Sequence, residues 1–286
     1  MSDGEIKGRL FIVATPIGNL EDITLRAVNV LKAVPIVAAE DTRRSRHLLT
    51  HLGASPERIL SLHDHNESAR TDMIVEILQG GSDVALVSDA GTPLVSDPGF
   101  ELVRAAHAAG LQVVPIPGPS ALMAVVSVSP VPVDRFFFEG FLPSRRAQRR
   151  RRLAELDELG VSVVFFESPR RMAETLDDLG EVLGWDREMV VAKELTKIHE
   201  RIESGTVRAL AERSDGLLGK GEFVCVVPRA DDASADLGPA ARRLMQVLCE
   251  ELPPAQAARL AAKATRVQRA ELYDYAMRLR HGASVD

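Results

Sequence analysis

Between residues 9 and 120 the chain alternates five short apolar runs (10–14, 36–39, 59–62, 84–87 and 113–116) with amphipathic stretches at 23–31, 45–52, 68–78 and 100–108. The runs are too short for helices and, being nearly continuous, read as strands buried on both faces. A helix-length segment between successive strands makes neighbours parallel, so the expectation is an α/β fold with a largely parallel sheet. Pro117-Gly118-Pro119 breaks the pattern, and a further helix is predicted from Ser120 to about 126. A second α/β block runs over 131–227, with strands at 135–138, 161–166, 189–192, 201–203 and 223–227 and a long helix at 169–183. Residues 230–238 are small, acidic and polar, as in a linker, and three short helices follow at 239–251, 254–264 and 267–279. The expected division is 8–120 and 121–229 for two α/β domains and 238–282 for a small helical extension. That tail is either a mini-domain or a set of helices packed on the main body.

Two loops point to a ligand. Ser88 to Gly99 reads S-D-A-G-T-P-L-V-S-D-P-G directly after the run Val84–Val87, and Ala14 to Leu20 reads A-T-P-I-G-N-L after the first strand. Glycine admits positive φ and proline fixes φ near −65°, so such loops hold a non-repeating shape with the backbone exposed. Both lie at carboxyl ends of strands, where open α/β sheets bind ligands. The plainer alternative for the second loop is an ordinary turn with a helix start at Asp97-Pro98. No G-x-G-x-x-G follows the first strand, and neither a G-x-x-x-x-G-K-S/T nor a G-x-S-x-G motif occurs, which removes support for dinucleotide, P-loop and α/β-hydrolase readings.

Composition restricts function further. The net charge of −6 argues against wholesale coating of nucleic acid, yet S-R-R-A-Q-R-R-R-R-L at 144–153 places Arg145, Arg146, Arg149, Arg150, Arg151 and Arg152 together with no acid before Glu155. A solvated helix face normally mixes signs, so this run is expected to be dispensable for folding and to contact RNA phosphates. Cys225 and Cys249 are far apart in sequence, which suggests no disulfide framework and fits a reducing cytoplasm. His63 and His65 in L-H-D-H-N-E lack further ligands at a metal-site spacing, so no metal is expected, and substrate contact or capping by Asn66 is preferred. No stretch reaches the length of a membrane span, and no membrane partner is expected. Glu40-Asp41-Thr42-Arg43-Arg44 ends the second strand. It reads either as a helix N-terminus with acids facing the dipole, or as a cleft edge shared with Asp89.

The segments T-P-I-G-N-L (15–20), A-E-D-T-R (39–43), L-H-D-H-N-E (62–67), L-V-S-D-A-G-T-P (86–93), P-G-P-S (117–120), F-E-G-F-L-P (138–143), F-F-E-S-P-R-R (165–171), K-E-L-T-K (193–197) and K-G-E-F (220–223), in this order, resemble the tetrapyrrole methylase superfamily. Within it the chain is most similar to the branch that methylates small-subunit ribosomal RNA, and L-P-P (252–254) and Y-D-Y-A (273–276) resemble that branch's helical extension. The resemblance implies two α/β domains with a cofactor cleft between them and a homodimer. It also implies transfer of a methyl group from S-adenosylmethionine to the 2′-oxygen of a cytidine in the decoding region of 16S rRNA, with the assembled 30S subunit as the expected partner. Cofactor contacts carried over by it are Pro16, Ile17, Gly18, Ser88, Asp89, Ala90, Gly91, Val95, Ser120, Ala121, Phe166, Glu167, Leu195, Gly221 and Glu222. RNA contacts are expected from Arg43, His65 and the arginine run. The alternatives are a tetrapyrrole or protein-side-chain methyltransferase of the same fold, or a cofactor-free RNA-binding module.

A ribose hydroxyl must lose its proton during or after attack, so a base within hydrogen-bond reach is required. Lys193 with Glu194 as partner is the first candidate, because a lysine ending a buried strand is desolvated, which disfavours its charged form. Glu40 is the second. A structural Lys193–Glu194 pair is the competing reading.

Overall fold

In the computed structural model the described residues are 7–63, 66–213, 221–230, 237, 239–265 and 267–280. They form two compact units, one reaching Val128 and including Ala192–Arg201, the other comprising Ser129–Val191 and everything from Ile202 onward.

The first unit contains β1 (Arg9–Val13), α1 (Leu25–Ala33), β2 (Ile36–Ala39), α2 (Thr42–Leu52), β3 (Arg58–Ser61), α3 (Glu67–Gln79), β4 (Val84–Val87), α4 (Phe100–Ala108), β5 (Gln112–Ile116) and α5 (Ala121–Val128). Its five strands are parallel in the order β3-β2-β4-β1-β5. Side chains alternate across a strand, so Leu10, Ile36, Ala38, Val84 and Leu86 pack one face under α3 and α4. Phe11, Val13, Val37, Ala39, Ala85 and Val87 pack the other under α1 and α2. Every residue of β2 and β4 is buried, which is why their sequences are unbroken apolar runs. Since β4 inserts between β1 and β2 while β5 joins the other side of β1, the loops after β1, β2, β4 and β5 all leave from the carboxyl edge of the sheet.

The second unit contains β6 (Phe136–Phe141), α6 (Arg146–Asp157), β7 (Ser162–Glu167), α7 (Met172–Leu183), β8 (Glu188–Lys193), β9 (Arg201–Thr206), α8 (Val207–Glu212) and β10 (Phe223–Val227). The sheet runs β6-β7-β10-β8-β9 and is mixed, β6 pairing parallel to β7 and β10 antiparallel to it. Three more helices follow: α9 (Pro239–Glu251), α10 (Pro254–Ala264) and α11 (Arg269–Arg280). They enclose a core of their own around Met245, Ala258, Ala261, Leu272 and Tyr275, as a mini-domain does. Most of the 230–238 linker lies outside the described residues.

The arginine run is not the dispensable segment that its sequence suggests. It forms α6, and most of its acids come from other elements, α7 above all. Arg149 is fully buried, with Nε 2.7 Å from Oδ2 of the equally buried Asp178. Arg146 and Arg150 donate to the other oxygen, Oδ1, at 2.9 and 2.7 Å, and Arg150 also bonds Glu181. Glu174, one turn before Asp178, lies 3.3 Å from Arg149. Arg152 pairs with Glu139 on β6 at 2.7 Å and Arg151 with Glu155 at 2.9 Å. Burial by itself would raise the Asp178 carboxyl, but the hydrogen bonds from Arg150, Arg146 and Arg149 outweigh it and leave the group below the usual carboxylate range. Four of the six arginines, Arg146, Arg149, Arg150 and Arg152, therefore tie α6 to α7 and β6, while Arg151 pairs within α6.

Candidate functional site

Three loops interlock at the carboxyl edge of the first sheet. The Thr15 amide donates to the Gly91 carbonyl at 2.8 Å and the Gly91 amide returns a bond to Thr15 at 3.0 Å, an isolated antiparallel bridge between the loops after β1 and β4. Thr15 Oγ1 donates to the Ser88 carbonyl at 3.3 Å, and Thr92 Oγ1 reaches the Pro119 carbonyl at 3.2 Å, which adds the loop after β5 and the segment leading to Ser120 and Ala121. At Gly91, φ is +81°, and a Cβ would meet Ile17 Cγ2 at 3.4 Å and the Pro119 carbonyl at 3.8 Å. Only glycine takes that conformation without strain.

The segment Ala192–Arg201 brings K-E-L-T-K to the same unit. A Cβ on Gly18 would lie 3.0 Å from the Leu195 carbonyl, 3.0 Å from Thr196 Oγ1 and 2.3 Å from Lys197 Cγ, so Gly18 permits backbone to pack on backbone there. Leu195 is buried while Lys193 and Glu194 are half-buried, and Glu194 Oε1 pairs with Lys197 Nζ at 2.9 Å. Lys197 as a partner of Glu194 was not anticipated, although both stand in the same five-residue segment. Two loops here carry non-glycine residues with positive φ: Leu94 and Ser96, flanking Val95, and Glu194 and Thr196, flanking Leu195. Such conformations persist only where the surroundings enforce them, and they concentrate at ligand sites.

Asp89 organises the edge formed with β2. Its Oδ1 accepts from the Asp41 amide at 3.0 Å, its Oδ2 pairs with Arg44 at 2.9 Å, and its own amide donates to Glu40 Oε2 at 3.4 Å. The helix-start reading of E-D-T-R-R holds, Asp41 capping α2 through the Arg43 amide at 2.8 Å, and Glu40 and Asp41 are hydrogen-bonded to Asp89. Arg43 is exposed, and Arg46 and His47 follow it on the same helical face.

Several expectations about polar residues need correction. Asn66 does not cap α3 with its side chain; it ties its own loop, accepting from the His63 amide at 2.9 Å and donating to the Ser61 carbonyl at 3.3 Å. At the α4 start Glu67 Oε1 accepts from the Gly99 and Glu101 amides at 3.0 and 2.8 Å, a contact the Asp97-Pro98 reading did not include. His65 lies outside the described residues.

In the second unit Glu167 is buried, and both carboxylate oxygens are engaged: Oε1 by the Ser168 amide at 2.7 Å, Oε2 by Thr175 Oγ1 at 2.8 Å and Arg171 at 3.3 Å. Phe166 stacks edge-on against Phe138, with ring centroids 5.1 Å apart. Gly221, with φ of +139°, and Glu222 lead into β10, where burial, helped by the Glu167 charge, pushes the Cys225 thiol well up. Among the described residues no group of three or more His, Cys, Asp or Glu side chains is placed to hold a metal ion, and no helix is long and apolar enough to cross a membrane.

With this geometry in view, residues 9–211 match the family described as Tetrapyrrole (Corrin/Porphyrin) Methylases, and residues 235–280 match the RsmI C-terminal HTH domain. Among curated proteins, the chain is 49% identical to Ribosomal RNA small subunit methyltransferase I of Xylella fastidiosa (strain Temecula1), over 93% of this chain and 98% of the relative. Proteins of the same name from Pseudomonas aeruginosa and Escherichia coli O157:H7 are 46% and 44% identical, over 97% and 95% of this chain and 99% and 95% of the relatives.

Proposed function

The chain belongs to the tetrapyrrole methylase family, and from that membership we propose that it is an rRNA methyltransferase that moves a methyl group from S-adenosylmethionine to the 2′-oxygen of a cytidine ribose in 16S rRNA. The observation that carries the cofactor is the interlocked edge around Gly91, where φ of +81° favours glycine and leaves the backbone between Ile17 and Pro119 without a side chain. No basic side chain stands in segments 16–18 or 88–91, which suits a cofactor that carries its own positive charge on sulfur. Pro16, Ile17, Gly18, Ser88, Asp89, Ala90, Gly91, Val95, Ser120, Ala121 and Leu195 are the first unit's contacts. Bound there, S-adenosylmethionine supplies an electrophilic methyl group.

The chain's own contribution is alignment and proton management. The Thr15–Gly91 bridge and the Asp89 contacts fix the loops before the acceptor arrives, so little ordering remains to be done at the moment of reaction. Lys193 is the first candidate to take the proton that the ribose 2′-hydroxyl loses, with Glu40 as the second. Arg43 contacts RNA phosphate from the exposed face of α2, and Arg145 and Arg151 do so at α6, Arg151 being 83% exposed. The buried Arg149 is withdrawn from the RNA contacts, because moving it to phosphate would strand Asp178.

The 30S subunit is the form of rRNA proposed as substrate, in the cytoplasm, and the active form is a homodimer. Helix α5, apolar except for Ser127, with only Val125 buried and Met123 and Val128 about half exposed, supplies a face for self-association. The test is methylation of unmodified 30S subunits with labelled donor, followed by mapping of the labelled nucleotide. Label at a cytidine 2′-oxygen is the expected result, and no label, or label on a base or a protein, overturns the reading.

A further inference from the structure

With Arg146, Arg149, Arg150 and Arg152 paired to acids of α7 and β6, further positive charge of the second unit gathers in its C-terminal helices. From 237 to 280 the sequence has eight Lys and Arg against four Asp and Glu, in a chain whose net charge is −6. We infer that the α9–α11 module is an electrostatic docking surface for ribosomal RNA phosphates, formed by Arg259 and Lys263 of α10 and Arg269 and Arg280 of α11. This rests on the rRNA methyltransferase reading and adds to it where the substrate is held away from the reacting atoms.

All four side chains belong to exposed residues, and none forms an ion pair with another described residue. On α10, Ala257, Ala258 and Ala261 are buried in the module's core, so Gln256, Arg259, Leu260 and Lys263 share the opposite, solvent-facing side. On α11, Leu272, Tyr275 and Ala276 are buried, and Arg269, Tyr273 and Arg280 fall within one narrow stripe at spacings of four and seven. Tyr273 is 40% exposed and Leu260 39%, giving the surface apolar and aromatic contacts beside its cations. Arg243 of α9 pairs with Glu158 after α6 at 2.7 Å, which engages one basic residue with the body of the unit.

Helix pairs of this kind place the second helix against a nucleic-acid groove. An A-form RNA major groove is too narrow for side chains to read, so contact is expected at phosphates and 2′-hydroxyls, without base selection. The surface then raises affinity for the subunit while leaving the choice of nucleotide to the first unit.

The experiment compares the full-length protein with an Arg259→Gln/Lys263→Gln/Arg269→Gln/Arg280→Gln variant on unmodified 30S subunits, measuring subunit affinity against salt, turnover at saturating subunits and S-adenosylmethionine affinity. All four positions are exposed, so the fold should persist, with unchanged cofactor affinity and circular dichroism as the check. The expected result is at least a tenfold weaker subunit affinity, a salt slope smaller by about 2.8 if all four contact single-stranded phosphates at about 0.7 each, and turnover within twofold. Wild-type affinity and slope in the variant overturn the inference, as does weaker affinity with an unchanged slope. Wild-type protein that prefers anionic phospholipid vesicles to 30S subunits would assign the surface to membranes instead. Failure of the wild-type protein to methylate any subunit is a different outcome, and it removes the parent reading.

Discussion

Replacing Asp178 with asparagine keeps its shape and removes the one charge that faces three guanidinium groups. Asp178 and Arg149 are both fully inaccessible, and the remaining acids around them, Glu174 and Glu181, are substantially exposed. Breaking a buried ion pair by removing one partner costs about 3–5 kcal/mol, because the other charge is left in a medium that does not solvate it. For a chain of this size 1 kcal/mol is worth roughly 2–4 °C, so a Tm loss on the order of 10 °C is expected in calorimetry at pH 7. The double replacement Arg149→Met/Asp178→Leu removes both buried charges and should recover most of that loss. In the native protein Asp178 titrates below its unfolded value, so its contribution is fully present above about pH 4 and disappears as pH falls through the folded value. The difference in Tm between wild type and Asp178→Asn should accordingly shrink from pH 7 toward pH 3. A single variant within about 1 kcal/mol of wild type at pH 7 would falsify the claim that the arginine run is a folding element.

Other outcomes follow from the first unit. Gly91→Val must adopt a left-handed conformation costing about 1–2 kcal/mol even for an unbranched residue, so S-adenosylmethionine affinity in equilibrium dialysis should drop at least tenfold; a folded variant with unchanged affinity refutes the placement. Lys193→Met should slow single-turnover methylation by about 10²–10⁴, and a rate within about threefold of wild type, some 0.7 kcal/mol, removes Lys193 as the base. Glu67→Ala deletes the acceptor for the Gly99 and Glu101 amides and should lower stability to denaturant by about 1–2 kcal/mol, with no loss refuting its capping role.

Much of the fold is written in the sequence at short range. The runs at 36–39 and 84–87 are β2 and β4 to the residue, since strands buried on both faces need only be apolar and short. Helix α4 likewise matches its expected span, Phe100–Ala108. What local reading misses is whatever depends on a partner distant in the chain. Helix α2 begins three residues before its apolar pattern does, because Asp41 caps it at a position fixed by Asp89, 48 residues away. Glu67 accepts from an amide at the start of α4, and the meaning of the arginine run depends on acids of α7 some 30 residues downstream. The candidate site was legible because its glycines and prolines mark special backbone by themselves. The Thr15–Gly91 bridge and the Glu194–Lys197 pair were not, since threonine, glutamate and lysine carry no such mark.

The two basic features of this chain also differ in what their neighbours have done with the charge, and that difference decides how each can act. Phosphate can recruit a guanidinium already bonded to a carboxylate only by separating the pair, and for Arg149 that leaves Asp178 buried with fewer donors. Recruiting Arg259 or Lys263 breaks no ion pair among the described residues and releases counterions from the RNA, a gain that depends on salt. Dense positive sequence is therefore a weaker guide to an RNA contact than sparse positive charge on a face without acids. Salt dependence separates the two: neutralising Arg146, Arg149 and Arg150 should act mainly on stability, and neutralising the α10–α11 face mainly on the slope of subunit affinity against salt.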